Sequence, residues 1–345
     1  MRIVIGSPGD KKSTDEILSS LGKDISEIYL SVNIHKFGSG RDDIYDLSIG
    51  ELKEIKSHAS LYDVEISVAL NSPCFSGFQF HSSFKEELKN FLIQLKDIGI
   101  NKLILTDSYL IKLILDEYSC FEICVSSISY VDTPEKARFY EKIGVSRIIL
   151  PIDLVRNLKM LKRIRDRVSC ELEVMGNLGC MYNCPYHTYH SQYHTHKAKN
   201  ELQDMIFKGD YYKNGCNEVF RSEPWRLIGA SYIRPEDIPV YDNIGIEYLK
   251  LAGRELPTSW IINSAKAYIN QKYSGNILEI LSTTYNLKDE FYLDNSKLQG
   301  LLEKRVGICN KRCYEDCVFK EEYSGMNACK VLAEKLIELI PHHKN

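Results

Sequence analysis

The chain has 345 residues, 44% of them apolar and 26% charged, a globular composition that excludes disorder over most of its length. Its net charge of −3, from 44 basic and 47 acidic side chains, argues against unaided nucleic-acid binding. The opening Met1-Arg2-Ile3-Val4-Ile5-Gly6 lacks a signal-peptide layout, and no run approaches the roughly 18 apolar residues of a bilayer span, so a cytoplasmic protein without a membrane segment is expected.

Short β-rich runs recur along the chain at Ile3–Gly6, Glu27–Ser31, Val64–Asn71, Lys102–Asp107, Phe121–Ser126, Arg147–Pro151, Glu171–Gly176 and Tyr248–Gly253. Most are near-continuously apolar, as strands buried on both faces are. Helical patterns lie between them. Phe84, Leu88, Phe91, Leu92 and Leu95 share one helix face, and Leu154, Leu158, Leu161 and Ile164 follow a similar spacing. Thr133-Pro134-Glu135 has the N-cap and first-turn proline of a helix start. Strand and helix alternating to a count of eight predict an α/β fold, a (β/α)₈ TIM-like barrel, in preference to a doubly wound sheet.

About 70 residues separate the seventh and eighth strands, far more than one helix needs. The expected organisation is a barrel over residues 1–273, with a Cys/His-rich insertion at 177–246, and a Cys-rich extension over 274–345. Ser259–Tyr273 reads as the closing helix and Ala328–Ile340 as a terminal one. In a barrel the long insertion emerges on the C-terminal face, where active sites sit.

Eleven cysteines need an explanation. Cys74, Cys120, Cys124 and Cys170 sit in or beside apolar runs and read as core thiols. Cys180, Cys184 and Cys216 lie in the insertion, with His187, His190, His194 and His196 around the first two. Soft thiolates at such spacing suit zinc, copper(I) or an iron–sulfur cluster. Cys309, Cys313, Cys317 and Cys329 crowd the C-terminus, a closed-site composition that fits a [4Fe–4S] cluster or, alternatively, a structural zinc. Seven ligand candidates fall one short of two four-thiolate sites.

Strand ends add Asn71, Asp107, Ser126, Glu173, Asn177, Lys250 and Arg254. Glu173 alternates with core residues and is expected to point into the barrel, either as a functional carboxylate or in a buried ion pair with Lys250 or Arg254. Arg41, after Gly38-Ser39-Gly40, could hold an anion. The chain contains no P-loop, nucleophile elbow, H-E-x-x-H or dinucleotide fingerprint.

These segments resemble the collagenase-like peptidase family, family U32. Glu27-Ile28-Tyr29-Leu30 with Arg41 is similar to that family's second strand and arginine loop, and Val68-Ala69-Leu70-Asn71 to its third strand. Glu171-Leu172-Glu173-Val174-Met175-Gly176-Asn177, then Cys180 and Cys184, resembles its signature strand and first cysteines, and Cys216 its third. Ile233-Arg234-Pro235-Glu236-Asp237 and Leu249-Lys250-Leu251-Ala252-Gly253-Arg254 resemble its later elements. The chain departs from the pattern in having Gly176-Asn177 where His-Gly is usual, closer first cysteines, and no local fourth cysteine.

The resemblance implies a TIM-like barrel and, through members that hydroxylate ubiquinone without oxygen, a [4Fe–4S] cluster. It leads to the expectation of an iron–sulfur enzyme performing oxygen-independent hydroxylation or group transfer on a small molecule or modified macromolecule. In that expectation Cys180, Cys184 and Cys216 hold the cluster, and Glu173, His187 and Arg254 act in catalysis. Arg41, Asn71, Asn177 and Lys250 bind substrate, and a protein partner from the same family is expected. A peptidase, an RNA-modification subunit and a non-enzymatic cluster carrier are the alternatives.

Overall fold

The structure, a computed structural model, describes residues 1–32, 37, 45, 47–198, 202, 209–300 and 335–340. Eight parallel strands close a barrel in chain order: β1 (Arg2–Gly6), β2 (Glu27–Ser31), β3 (Glu65–Leu70), β4 (Lys102–Leu105), β5 (Glu122–Val125), β6 (Arg147–Ile149), β7 (Glu171–Met175) and β8 (Tyr248–Leu251). Closure is made where β1 pairs with both β2 and β8. All eight strands lie where the apolar runs predict them.

The first six helices are α1 (Lys11–Leu21), α2 (Ile49–Ser60), α3 (Ser82–Asp97), α4 (Ser108–Glu117), α5 (Pro134–Ile143) and α6 (Leu158–Arg165). Their starts follow from sequence. Thr133 caps α5 ahead of Pro134, and Ser48 and Glu51 form a reciprocal capping box on α2. Asp107, a strand-end candidate, is the N-cap of α4, accepting from the Leu110 N–H at 2.9 Å. Leu154 falls in a 3₁₀ turn, because Asn157 caps α6 only at Leu158.

Period-two alternation divides each strand between two cores. Outward residues such as Ile28, Leu30, Val68, Leu103, Ile123 and Val174 join the shell between strands and helices. Inward residues, among them Val4, Tyr29, Ile104, Cys124, Met175 and Tyr248, fill the barrel. Each fully buried aliphatic side chain contributes about 1.5–3 kcal/mol, so both faces favour apolar residues.

Between β7 and β8 lie α7 (His187–Ala198), α8 (Tyr211–Ser222), α9 (Trp225–Ile228) and α10 (Ile238–Ile244); α11 (Thr258–Ile269) follows β8. After α11 the chain runs through 3₁₀ turns whose Ile277, Leu278, Leu281, Leu287 and Leu298 are fully buried. The Ser282 and Thr283 N–H groups donate to the carbonyls of Asn177 and Leu178, tying this extension to the start of the insertion.

The helix expected over Ala328–Ile340 is corrected where it is described. Ile337–Leu339 is a strand, β10, antiparallel to β9 (Phe291–Leu293). Ile337, Glu338 and Leu339 pair with Leu293, Tyr292 and Phe291, and the Ile340 N–H continues the pairing to the Glu290 carbonyl. Residues 328–334, Arg41 and the tail thiols Cys309, Cys313, Cys317 and Cys329 lie outside the described residues.

Candidate active site at the barrel mouth

Four buried charges cross the barrel interior. Arg147 Nη1 donates to Glu27 Oε2 and to Glu173 Oε2, both at 2.9 Å. The Lys250 ammonium lies 3.4 Å from Glu173 Oε1 and 3.6 Å from the centre of the Tyr29 ring. Two carboxylates and two cations balance, as desolvated charges must. Ser67 adds its hydroxyl to Glu27 at 2.6 Å, and the Arg147 guanidinium lies 3.5 Å over the Tyr248 ring. Burial pushes the Glu27 carboxyl up, but Arg147 and Ser67 outweigh it and hold it below the ordinary range.

Above this layer opens a cavity floored by Tyr29 and Lys250, with Asn71, Ser126, Arg254 and Cys180 among its walls. Asn71 Nδ2 donates to Ser126 Oγ at 3.4 Å, and Arg254 donates to Ser31 Oγ. His187, His190 and His194 project from α7 into the cavity. A second cavity adjoins it, sharing Cys180, His187, His190, His194, Glu255 and Thr283, and adds Cys184, Cys216 and Asp210.

Local backbone geometry sets the cysteine loop. Gly179 adopts φ +77°, and a Cβ there would sit 2.8 Å from Thr284 Oγ1. Cys180 pairs with Ser231, whose N–H donates to the Cys180 carbonyl at 2.7 Å. Asp153, buried beneath, accepts the Asn183 N–H at 2.7 Å and the Tyr130 hydroxyl. Cys180, Cys184 and, on α8, Cys216 all line the second cavity.

Burial raises the thiols of Cys184 and Cys216, the latter to about 12 with help from the charges of Cys180 and Cys184. Without a bound cation these two thiols stay protonated at neutral pH, which disfavours them as nucleophiles. Cys180, Cys184 and Cys216 are soft donors by chemistry and line one cavity, although their sulfurs are not among the ligand atoms that converge within 4.8 Å among the described residues.

The predicted residues divide clearly. Asn71, His187, Lys250 and Arg254 meet at the mouth. Glu173 points inward but lies under Lys250, in the ion layer and not on the cavity wall. Its partners are Arg147 and Lys250; Arg254 bonds to Ser31 instead. Asn177 is fully buried, and its side chain clasps the β8 end through the Ala252 N–H and carbonyl and through Ser264. That is a structural position, away from the cavity wall.

Arg147 and Asp210 escaped the sequence reading. Arg147 opens an otherwise apolar strand, and Asp210 immediately precedes the Tyr211–Ser222 helix as its N-cap. Those two local signals could have found them.

A closed parallel barrel with a polar cavity at the C-terminal ends of its strands is the architecture of a barrel enzyme. Residues 13–278 match peptidase family U32, and the chain belongs to that family. It is 30% identical over 346 residues to the "Uncharacterized protease MJ1657" of Methanocaldococcus jannaschii, covering 97% of this chain and 98% of that protein. The solved structure of the U32 peptidase Mk0906 shares the fold, with a TM-score of 0.55 at 20% identity, covering 74% of this chain and 94% of that one.

These findings overturn the expectation of an iron–sulfur hydroxylase. The family match and the near full-length protease relative point to peptidase chemistry.

Proposed function

We propose that the chain is a peptidase that binds and cleaves peptides at the C-terminal mouth of its barrel. The observation that carries this reading is the match to peptidase family U32 over residues 13–278, a span containing every described residue of the mouth cavity except Thr283. Lys250 and Arg254 supply the cationic side of that cavity and hold a substrate carboxylate. Asn71 and Ser126 offer neutral donors and acceptors to a peptide backbone. His187, between the two cavities, moves the proton that the leaving amine requires.

The thiols Cys180, Cys184 and Cys216 support a second part of the proposal, a thiolate-bound [4Fe–4S] cluster or zinc ion beside the cavity. Such a centre would fix α8 against the cysteine loop. Iron, sulfide and zinc analysis of anaerobically purified protein distinguishes the two, and absence of all three contradicts this part.

The peptidase reading is tested with a library of short peptides and mass-spectrometric detection of new termini. Cleavage is expected to fall at least tenfold in His187→Ala. Amidation of the peptide C-terminus is expected to raise KM, and Lys250→Met to remove the difference between amide and acid. No cleavage by the metal-replete protein contradicts the reading.

A further inference from the structure

We propose that His190, His194 and Asp210 form a divalent transition-metal site of the zinc class in the wall between the two cavities. His190 and His194, four residues apart on α7, present their Nε2 atoms on one face of the helix. Those atoms lie 2.9 Å apart. Asp210 Oδ2 is 2.8 Å from His190 Nε2 and 3.5 Å from His194 Nε2. Ligands on a tetrahedral zinc, each about 2.0–2.1 Å from the metal, are separated by about 3.3 Å. The circle through the three observed atoms has a radius of about 1.8 Å, so a point about 2 Å from all three exists just off their plane.

The surrounding structure orients each ligand. Asp210 is the N-cap of α8: its Oδ1 accepts the Lys213 N–H at 3.0 Å, which leaves Oδ2 directed at the imidazoles. Tyr212 packs against the His190 ring at 5.5 Å and Tyr193 against that of His194 at 5.6 Å, restricting both rings. All three ligands line the second cavity, and the two histidines also line the first. Two imidazoles and one carboxylate leave a fourth metal position for water, the composition of catalytic rather than structural zinc sites. It is separate from the thiol set, which contributes none of the three converging atoms.

The use of this site rests on the peptidase reading; its existence does not. A metal there polarises a peptide carbonyl oxygen and lowers the pKa of its water. The water gives one proton to His187, and the resulting hydroxide adds to the carbonyl carbon. The C–N bond then breaks, and the amine leaves with the proton that His187 returns. Hydrolysis consumes one water and changes no oxidation state.

The test is a titration of chelator-treated protein with Co²⁺, followed by visible absorption and calorimetry. The Cys180→Ser/Cys184→Ser/Cys216→Ser variant, which lacks the thiol centre proposed above, is expected to bind Co²⁺ with the weak bands of nitrogen and oxygen ligands. On that background binding should weaken at least about 100-fold in His194→Ala. Asp210→Asn provides the folding control, since asparagine caps a helix as well as aspartate; it too should lose affinity while the far-ultraviolet spectrum stays unchanged. Loss of all Co²⁺ binding with the cysteines, or Co²⁺ affinity of the cysteine-free protein indifferent to Asp210→Asn, would overturn the site. So would the absence of Co²⁺ binding. Peptide cleavage is read separately. Co²⁺ bound as expected without cleavage removes the peptidase reading and leaves the site standing. Cleavage undiminished in metal-free Asp210→Asn, which lacks Co²⁺ affinity, removes the proposed use and leaves the peptidase.

Discussion

Arg147 is the side chain on which the barrel interior depends. Its guanidinium joins two carboxylates from opposite parts of the sheet, Glu27 on β2 and Glu173 on β7. Arg147→Met leaves both without their principal cation, and breaking such a buried pair costs about 3–5 kcal/mol. Chemical unfolding is expected to show that loss; a change within 1 kcal/mol would mean the network is solvated. Glu173→Gln is expected to lower stability and turnover together, because the residue acts by holding Lys250 and not by touching substrate. Loss of turnover with full thermal stability would restore it as a functional carboxylate.

Glu27 sets the acid limit of the same network. Its carboxyl is held below its ordinary value of 4.5 in the folded chain. The unfolded state therefore binds more protons as the pH falls, and the stabilisation present above about 4.5 is lost as the pH drops through the folded value. Glu27→Gln should lower stability at pH 7 and flatten its fall on acidification, measured by urea midpoints between pH 3 and 7. An equally steep fall in the variant would assign the acid sensitivity elsewhere.

The strands and several helices are legible because their determinants are local. Each strand is an apolar run, and the α5 start is written in Thr133-Pro134. The site is legible only in part. Asn71, His187, Lys250 and Arg254 stand at strand ends or in a conspicuous His run, so barrel geometry predicts their meeting. Asp210 and Arg147 carry local marks, an N-cap and a charge at the start of an apolar strand, but their partners lie on other elements, α7 for Asp210 and β2 and β7 for Arg147. Asn177 shows the converse: a polar residue after a strand reads as a ligand group until its amide is seen clasping Ala252. At β10, pairing with β9 overrides a pattern that reads as helix.

The cysteine loop is sensitive to a single methyl group. Gly179→Ala places a Cβ against Thr284 at a left-handed φ, an expected cost of about 1–3 kcal/mol. It should also shift Cys180 from Ser231 and reduce cleavage, which paired thermal-unfolding and peptide assays would detect. Retention of both would mean that the extension yields without disturbing the loop. Leu281→Ala, in the fully buried anchor of that extension, is expected to cost about 2–5 kcal/mol.

At the scale of the whole molecule, the barrel supplies a rigid floor and the insertion supplies the chemistry above it. The 3₁₀ turns following α11 clamp the insertion through Ser282 and Thr283, so the extension is part of the site's support. No helix among the described residues is long and apolar enough to cross a membrane. Glu27, Glu173, Arg147 and Lys250 balance one another in the buried layer; Lys250 also reaches the cavity above it, where Arg254 adds a further cation.

The most direct test of the central claim is peptide cleavage in ¹⁸O-labelled water, comparing wild-type protein with Lys250→Met and His187→Ala. One labelled oxygen is expected in each newly formed carboxyl group, with cleavage reduced at least tenfold in both variants at unchanged secondary structure. Unlabelled or absent products, or cleavage equal in all three proteins, would contradict a peptidase working at this barrel mouth.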